Sequence, residues 1–214
     1  MELNNENARQ MKEKKFWDAF AKKYDPFMDS QKTSYDLLLN RIRKYITLGT
    51  DVLEIATGTG NIALAIAGNA RTVSACDISS EMISVAEGKL RQMGLRNVEF
   101  QIRDAYQLDY QSGKFDVVIA SNVLHIMIDP ARALASIHDV LKDGGVLIAP
   151  TYCHGENIAS RAVSQVMALA GFKAYHKWSV KTFRNFLEMN RYQIIELEVF
   201  KDIIPMTVAV AKKK

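Results

Sequence analysis

Apolar, strand-like segments alternate with helix-like segments over the middle of the chain, and this alternation constrains the fold more than any other feature. Five strands are predicted, at 51–56, 71–76, 98–102, 115–120 and 146–150. Helices are predicted between them at 61–68, 80–93 and 130–141. Strands that alternate with helices build βαβ units, so we expect an α/β fold with a doubly wound, largely parallel sheet.

Two further strand-like segments follow near the end of the chain, at 192–200 and 206–211. Only a few residues around 202–205 connect them. A parallel crossover needs roughly a dozen residues or more, so these two strands must be antiparallel. The full prediction is a seven-stranded, mostly parallel sheet that ends in an antiparallel hairpin.

The first part of the chain reads as two helices, one at 7–24 and one at 32–47. The first helix is expected to end at Asp25, because a residue before proline is pushed out of helical geometry. Gly49 is expected to end the second helix, before the first strand begins.

Composition excludes several classes of protein. The chain is 48% hydrophobic and 24% charged, as soluble globular proteins are. No apolar run reaches the roughly 20 residues that span a bilayer, and the first residues lack the apolar core of a signal peptide. Cys76 and Cys153 have neither disulfide-framework nor metal-ligand spacing. We therefore expect a reduced, cytoplasmic protein without a bound metal. The scattered basic residues do not by themselves indicate a nucleic-acid partner.

A glycine turn follows the first strand, in the segment VLEIATGTGNIALAIA at 52–67. Gly58 and Gly60 allow a tight turn and a close approach of backbone to ligand. In a parallel sheet such a turn lies at the carboxyl ends of the strands, where ligands bind. Gly58-x-Gly60-x-x-Ala63 also fits the dinucleotide fingerprint, which leaves NAD open as a ligand.

Two carboxylates bear on the nature of that ligand. Glu54, just before the turn, would repel a diphosphate but suits a cation. S-adenosylmethionine carries an ammonium and a sulfonium and no phosphate. Asp77 ends the second strand, 17 residues after Gly60, and can accept hydrogen bonds from both hydroxyls of a ribose. NAD-binding folds use the same arrangement, so Asp77 indicates a ribose without choosing between the ligands.

At these positions the sequence resembles the class I S-adenosylmethionine-dependent methyltransferase family, in particular its small-molecule, ubiquinone/menaquinone-type branch. The segments that carry the resemblance are EIATGTG (54–60), CDIS (76–79) with Met82, RDA (103–105), FDVVIASNVLHIMIDP (115–130), LKDGGVLIAP (141–150) and FWDAFAKKYDPFM (16–28). The resemblance covers nearly the whole chain. It implies a Rossmann-like methyltransferase fold, with an N-terminal helical cap at 1–48 and one compact cofactor-binding domain at 49–214.

The resemblance also implies roles at the cofactor. Glu54 would lie near the methionine ammonium, Asp77 would hold the ribose, and Asp104 would accept from the adenine amine. The remaining cofactor contacts would come from Ala56, Gly58, Gly60, Ile78, Met82, Ala105, Asn122 and Val123. Ala56 replaces the first glycine that is usual in the family's motif, and Ile126 stands where many relatives have a second histidine.

Four residues are candidates for work on the methyl acceptor. His125 follows the fourth strand and can act as general base, since a histidine pKa of about 6.5 allows proton transfer near neutrality. A histidine there can equally donate to a backbone carbonyl. The ring of Tyr24 can close over the sulfonium, because cations favour aromatic faces. Tyr152 and His154 follow the fifth strand and are expected to line the acceptor pocket.

The predicted function is transfer of the methyl group of S-adenosylmethionine to a small molecule by in-line displacement, with release of S-adenosylhomocysteine. Positioning is the main task of such an enzyme, because the sulfonium is already a good leaving group. The aromatic residues of 16–28 favour a hydrophobic or aromatic acceptor. The residues after the fourth strand lack the Asn/Asp-Pro-Pro-aromatic motif of enzymes that methylate nucleobase amino groups, which disfavours nucleic acid. Two alternatives stay open, an NAD-dependent oxidoreductase and a catalytically silent cofactor-binding protein.

Overall fold

The computed structural model describes residues 2–29, 32–169 and 172–214. Their strands are β1 (Asp51–Ile55), β2 (Thr72–Asp77), β3 (Val98–Ile102), β4 (Phe115–Ala120), β5 (Leu141–Tyr152), β6 (Tyr192–Phe200) and β7 (Met206–Lys213). Their helices are α1 (Glu2–Asp29), α2 (Lys32–Arg43), α3 (Asn61–Ile66), α4 (Ser80–Met93), α5 (Pro130–Val140), α6 (Ile158–Leu169) and α7 (Val180–Met189). The strand order is β3-β2-β1-β4-β5-β7-β6, which confirms the predicted seven-stranded α/β sheet.

The chain divides into two compact units, Met1–Asp109 and Tyr110–Lys214. In the first unit β1 pairs with β2 and β2 with β3, all in parallel. Strand β1 is buried over most of its length and α2 packs its apolar side inward. The buried side chains of these two elements include Leu38, Ile42, Val52, Leu53 and Ile55.

In the second unit β4 and β5 are parallel, whereas β7 pairs antiparallel with both β5 and β6. The predicted antiparallel hairpin is therefore confirmed. Tyr192 begins β6 fully buried, and its hydroxyl donates to the carbonyl of Leu134 on α5 at 3.0 Å. The hairpin is thus tied to the helix that packs beside β5.

Most predicted bounds agree with the structure to within one or two residues, and those of α4, β3, β4 and β6 agree at both ends. The prediction that the second helix runs to 47 and is ended by Gly49 was wrong, since α2 ends at Arg43 and turns follow it. Strand β5 begins five residues earlier than predicted, because Leu141 already pairs with Phe115 across an irregularity in the ladder. The residues between include Gly144, whose positive φ of 71° is normally a turn signal.

The prediction that the first helix ends at Asp25 was wrong, since α1 continues to Asp29 with Pro26 inside it. A proline this close to a helix end removes a single backbone hydrogen bond. Tertiary contacts hold the preceding residue in place. The Asp25 carboxylate accepts from the hydroxyl of Thr59 at 2.6 Å and forms an ion pair with Lys89 at 2.6 Å.

Helices α6 and α7 were not predicted. Helix α7 begins with a capping box, in which the side chains of Ser179 and Thr182 each bond to the other residue's backbone N–H. Among the helices of the described ranges, none combines the length and the apolar character needed to cross a membrane.

Candidate functional site

The glycine turn between β1 and α3 is built from left-handed residues. Gly58 has φ 56° and Gly60 has φ 77°, a region that side chains disfavour. A Cβ on Gly60 would lie 2.6 Å from the ring of Phe100, and a Cβ on Gly58 would lie 3.3 Å from the ring of Tyr24. Gly60 is therefore needed for packing within the first unit, and Gly58 lies beneath an aromatic side chain of α1.

Ala56 occupies the same left-handed region, with φ 50°. The departure from the family's glycine therefore leaves a strained residue at the end of β1. Left-handed geometry costs an L-residue about 1–2 kcal/mol, and part of the gain on changing to glycine is offset by the greater freedom of the unfolded chain.

We therefore expect Ala56→Gly to stabilise the protein by about 0.5–1 kcal/mol in urea unfolding. Ala65→Gly, within α3, is the matched control and should destabilise it by roughly the same amount, because glycine is a poor helix former. Equal destabilisation by both substitutions would show that Ala56 is not strained.

Glu54 is buried at the turn. Its Oε2 accepts from the hydroxyl of Thr57 at 2.5 Å and from the backbone N–H of Ala63 at 3.0 Å. Burial, together with the nearby charge of Asp77, raises the pKa of Glu54 to about 8, although these two hydrogen bonds oppose the shift. The carboxyl group thus joins strand, turn and helix and is mainly protonated at neutral pH.

Asp77 ends β2 on the other side of the turn. One carboxylate oxygen accepts from the N–H of Gly58 at 2.9 Å and the other from the N–H of Ser79 at 2.9 Å. Burial raises the pKa of Asp77 above its ordinary value, although backbone hydrogen bonds oppose the shift. Ser79 is the N-cap of α4, since its Oγ accepts from the N–H of Met82 at 3.1 Å. Asp77 therefore lies beside the glycine turn, and its role at a ribose stays a prediction.

Helix α1 lies along this edge of the first unit. Asp18 accepts from the Ser79 hydroxyl at 2.6 Å, and Lys14 donates to the Ser80 hydroxyl at 2.7 Å. Further along the helix, Tyr24 covers Gly58 and makes an edge contact with Phe20. The predicted helix at the glycine turn is therefore present, although the division of the chain at residue 48 stays a prediction.

Asp104 accepts hydrogen bonds from side chains near the start of α1. Its Oδ2 accepts from Arg9 and from the side-chain amide of Gln10 at 2.7 Å, while Oδ1 accepts from the N–H of Tyr106 at 3.0 Å. The Arg9 guanidinium also lies over the Tyr106 ring, 4.2 Å from its centroid. A cleft of about 440 Å³ opens here, lined by Gln10, Gln101, Ile102, Arg103, Asp104, Gln107 and Asp109.

The other predicted cofactor residues of the first unit are apolar. Met82 and Ala105 are buried and Ile78 is half-buried. In the second unit, Asn122 follows β4 with φ 53°, and its N–H donates to the carbonyl of Pro150 at 2.9 Å. Val123, next in the chain, is buried.

The candidate acceptor residues form a cluster in the second unit. The ring centroid of His125 is 5.2 Å from that of His154, 6.0 Å from that of Tyr152 and 6.4 Å from that of Phe172. The backbone carbonyl of His125 accepts from the N–H of His176 at 3.0 Å. The chain therefore brings three of the four candidates together, and Phe172 is a member that the sequence analysis missed.

Both histidines are 1% exposed. No residue in the described ranges gives a hydrogen-bond partner to either ring nitrogen of His125 or His154. The same holds, within those ranges, for the buried side-chain oxygens of Asn122, Thr151 and Ser164. Buried polar atoms are almost always paired in folded proteins, so this cluster has unused capacity for a polar ligand.

The two imidazoles are neutral at physiological pH. Burial lowers the pKa of His125 to about 3, with His154 and His176 adding to the shift. Burial, with the charge of Lys177, lowers the pKa of His154 to about 4. A lowered pKa makes the folded state lose stability as the pH falls below about 6.5, because the unfolded chain then binds protons that the folded chain does not.

We expect the double variant His125→Asn/His154→Asn to gain stability relative to the unaltered protein by about 2–3 kcal/mol between pH 6.5 and pH 5. Urea unfolding of both proteins at the two pH values measures this difference. The comparison is needed because the raised pKa of Glu54 acts in the opposite direction over the same range. A difference that does not change with pH would mean that the histidines titrate normally in the folded protein.

Residues 46–196 match the sequence profile of a family described as a methyltransferase domain, which is well over half of the chain. The chain belongs to this methyltransferase family. The resemblance to class I methyltransferases is thereby confirmed at the level of the family.

Two curated relatives of this methyltransferase domain illustrate the range of the family. The ubiquinone/menaquinone biosynthesis C-methyltransferase UbiE of Blochmanniella pennsylvanica is 36% identical over 110 residues, which cover 50% of this chain and 43% of that protein. A phosphatidylethanolamine N-methyltransferase of Cereibacter sphaeroides is 30% identical over 121 residues, covering 56% of this chain and 59% of that protein. The chain thus spans about half the length of the curated relatives that it matches. Neither relative supports the oxidoreductase alternative.

Solved structures confirm the fold. The YcgJ protein of Bacillus subtilis superposes with a TM-score of 0.73 and 18% identity, covering 84% of this chain and 99% of that one. The methyltransferase domain therefore shares its fold with this solved structure. At this identity the likeness is one of fold alone.

Proposed function

We propose that this methyltransferase domain binds S-adenosylmethionine in its first unit and transfers the methyl group to a small-molecule acceptor, releasing S-adenosylhomocysteine. The observation that carries the proposal is the pair of buried carboxyl groups, Glu54 and Asp77, on either side of the left-handed glycine turn. Both are connected to the turn by hydrogen bonds, so their positions are fixed before any ligand arrives.

The residues present fit a cationic adenosyl ligand. Burial raises the pKa of both Glu54 and Asp77, and a ligand cation relieves that cost by stabilising the charged carboxylates. A diphosphate would add negative charge beside them. Tyr35, on α2, supplies a buried hydroxyl that no residue in the described ranges bonds. Burial raises the pKa of Tyr35, and an ionised Glu54 adds to the shift, which places the two groups near each other. An unused donor near Glu54 suits a polar ligand.

Each residue has a role in this proposal. Glu54 binds the methionine ammonium, Asp77 the ribose hydroxyls and Asp104 the adenine amine. Ala56, Gly58 and Gly60 let the backbone approach the ligand, and Ile78, Met82 and Ala105 supply the apolar packing. The cofactor contacts predicted for Asn122 and Val123, which belong to the second unit, stay predictions. When bound, S-adenosylmethionine supplies a methyl group made electrophilic by the sulfonium. Tyr24, which already covers the turn, presents its ring to that cation.

Asp104 already has hydrogen-bond donors at the position proposed for the adenine. Tyr106 donates to Oδ1, and Arg9 and Gln10 both donate to Oδ2. An adenine amine that binds at Oδ2 would replace one of these α1 side chains, which would couple the start of α1 to cofactor binding.

We place the acceptor at the His125, Tyr152 and His154 cluster of the second unit. Its unpaired ring nitrogens can bind a polar group of the acceptor, while Phe172 and Tyr152 contact its apolar part. Methyl transfer would break the methyl carbon's bond to sulfur and form its bond to the acceptor. For His125 to take the proton that such an acceptor releases, the bound acceptor would have to raise the histidine pKa from about 3.

Calorimetric titration with S-adenosylmethionine, S-adenosylhomocysteine and NAD tests the proposed cofactor. We expect micromolar binding of the two adenosyl ligands and none of NAD. Binding of NAD alone would restore the oxidoreductase alternative. Adenosyl binding that yields no S-adenosylhomocysteine from any hydroxyl-, amine- or thiol-bearing acceptor would favour a silent cofactor-binding protein.

The raised pKa of Glu54 leads us to expect that cofactor binding depends on pH. Its pKa of about 8 keeps it protonated at pH 7, and a bound ammonium lowers that pKa. We therefore expect binding at pH 7 to release nearly one proton and to tighten as the pH rises from 6 to 8. Calorimetry in buffers of different ionisation enthalpy measures the number of protons released on binding. The Glu54→Gln variant should release none. Proton uptake on binding would contradict the assignment.

A further inference from the structure

Helix α6 presents three of its aliphatic side chains outward. Ile158, Val166 and Leu169 are 86%, 66% and 91% exposed. Their spacing of eight and three residues puts them on one stripe of the helix, within about one quarter of its circumference. The opposite side buries Ser160 and Ser164. Single exposed aliphatic residues are common, but an outward stripe on a helix that buries serines indicates an interaction surface.

Basic residues surround this stripe in the sequence. Residues 157–187 contain five lysines and arginines and neither aspartate nor glutamate. Arg161 is on α6 itself, beside the apolar stripe, and donates to the carbonyl of Gly155 at 3.1 Å while its side chain stays exposed. Lys173 lies 4.7 Å from the ring centroid of Tyr175, which is 40% exposed. Two glutamates flank this range and already have partners, since Glu188 pairs with Arg184 at 3.0 Å and Glu156 accepts from the N–H of Val180 at 2.7 Å.

An outward aliphatic stripe with Arg161 beside it, followed in the sequence by further lysines, matches the chemistry of an anionic bilayer surface. Aliphatic groups enter the boundary between headgroups and acyl chains, and cations bind lipid phosphates. A second copy of this chain fits less well, because a two-fold contact would bring the same basic residues together. Nucleic acid would engage the cations but leave the aliphatic stripe exposed.

We propose that the outward face of α6, together with the neighbouring basic residues, docks this chain on the surface of an anionic lipid bilayer. The helix lies on the membrane and does not cross it, since it has only 12 residues. Docking does not depend on the proposed methyl transfer, because it uses neither the glycine turn nor the histidine cluster.

Sedimentation with vesicles tests the proposal on the full chain without cofactor. We expect binding to vesicles of mixed phosphatidylcholine and phosphatidylglycerol, at least tenfold weaker binding to phosphatidylcholine alone, and weakening by salt. Ile158→Ser/Leu169→Ser should weaken binding to the anionic vesicles at least tenfold. Leu48→Ser/Met93→Ser removes two exposed apolar side chains from the first unit and should leave binding unchanged.

Three results would overturn the proposal. The first is failure of the unaltered protein to sediment with anionic vesicles. The second is equal loss of binding in the α6 variant and in the Leu48/Met93 control. The third is self-association in the absence of vesicles that the α6 substitutions abolish, which would assign the stripe to a contact between copies. Circular dichroism of each variant confirms that it is folded.

Discussion

Replacing Asp77 by alanine should weaken S-adenosylhomocysteine binding about 100-fold, equivalent to about 2.7 kcal/mol. A hydrogen bond to a charged group contributes roughly 1.5–3 kcal/mol, and Asp77 is proposed to accept one from each ribose hydroxyl. The substitution also frees the N–H groups of Gly58 and Ser79, which now donate to this carboxylate. Ligand contact and turn geometry are therefore lost together, which makes Asp77 the most sensitive cofactor residue.

Two further variants separate these effects. Asp77→Asn keeps the size of the side chain and one oxygen acceptor, so it should retain the turn while losing the charge and part of the affinity. Asp51→Asn alters a carboxylate at the opposite end of β1, where it binds Arg71, and should leave ligand affinity unchanged. If the Asp77→Ala variant bound S-adenosylhomocysteine as tightly as the unaltered protein, the ribose would not bind at Asp77. The proposed orientation of the cofactor would then be wrong.

The sheet could be predicted from the sequence because its strands carry strong local signals. FDVVIA at β4 is buried on both faces, and the short link before β7 permits only antiparallel pairing. Helix α6 could not be predicted in the same way. Amphipathic patterns identify a helix by its buried apolar stripe, whereas α6 buries serines and exposes its aliphatic residues. The apolar side chains that form the pattern of α6 lie on the protein surface and do not pack into the core.

In the candidate site, the positions of the two carboxylates beside the glycine turn could be predicted. Glu54 and Asp77 adjoin the glycine turn as expected, because strand ends fix their positions. The contacts from α1 were not predictable. Gln10, Lys14 and Asp18 recur at helical spacing and so resemble a solvated face, yet they bond to Asp104, Ser80 and Ser79. A polar stripe on a helix does not reveal whether it meets water or another polar surface.

Gly60→Ala should destabilise the protein by about 2–4 kcal/mol. Left-handed geometry at φ 77° costs an L-residue about 1–2 kcal/mol, and overpacking adds about 1–3 kcal/mol. The added Cβ would lie 2.6 Å from Phe100 and 3.0 Å from the Cβ of Ala86, so either β3 or α4 must move. Urea unfolding measures the loss.

Gly68→Ala is the matched control for this substitution. No atom lies within 4 Å of the Cβ that it would add, so its effect should stay within about 0.5 kcal/mol. Combining Gly60→Ala with Phe100→Leu should recover the steric part of the loss but not the backbone part, which a double-mutant cycle resolves. If Gly60→Ala were as harmless as Gly68→Ala, the turn would have room for a side chain. Its glycine would then serve the approach of a ligand and not the packing of α4 and β3.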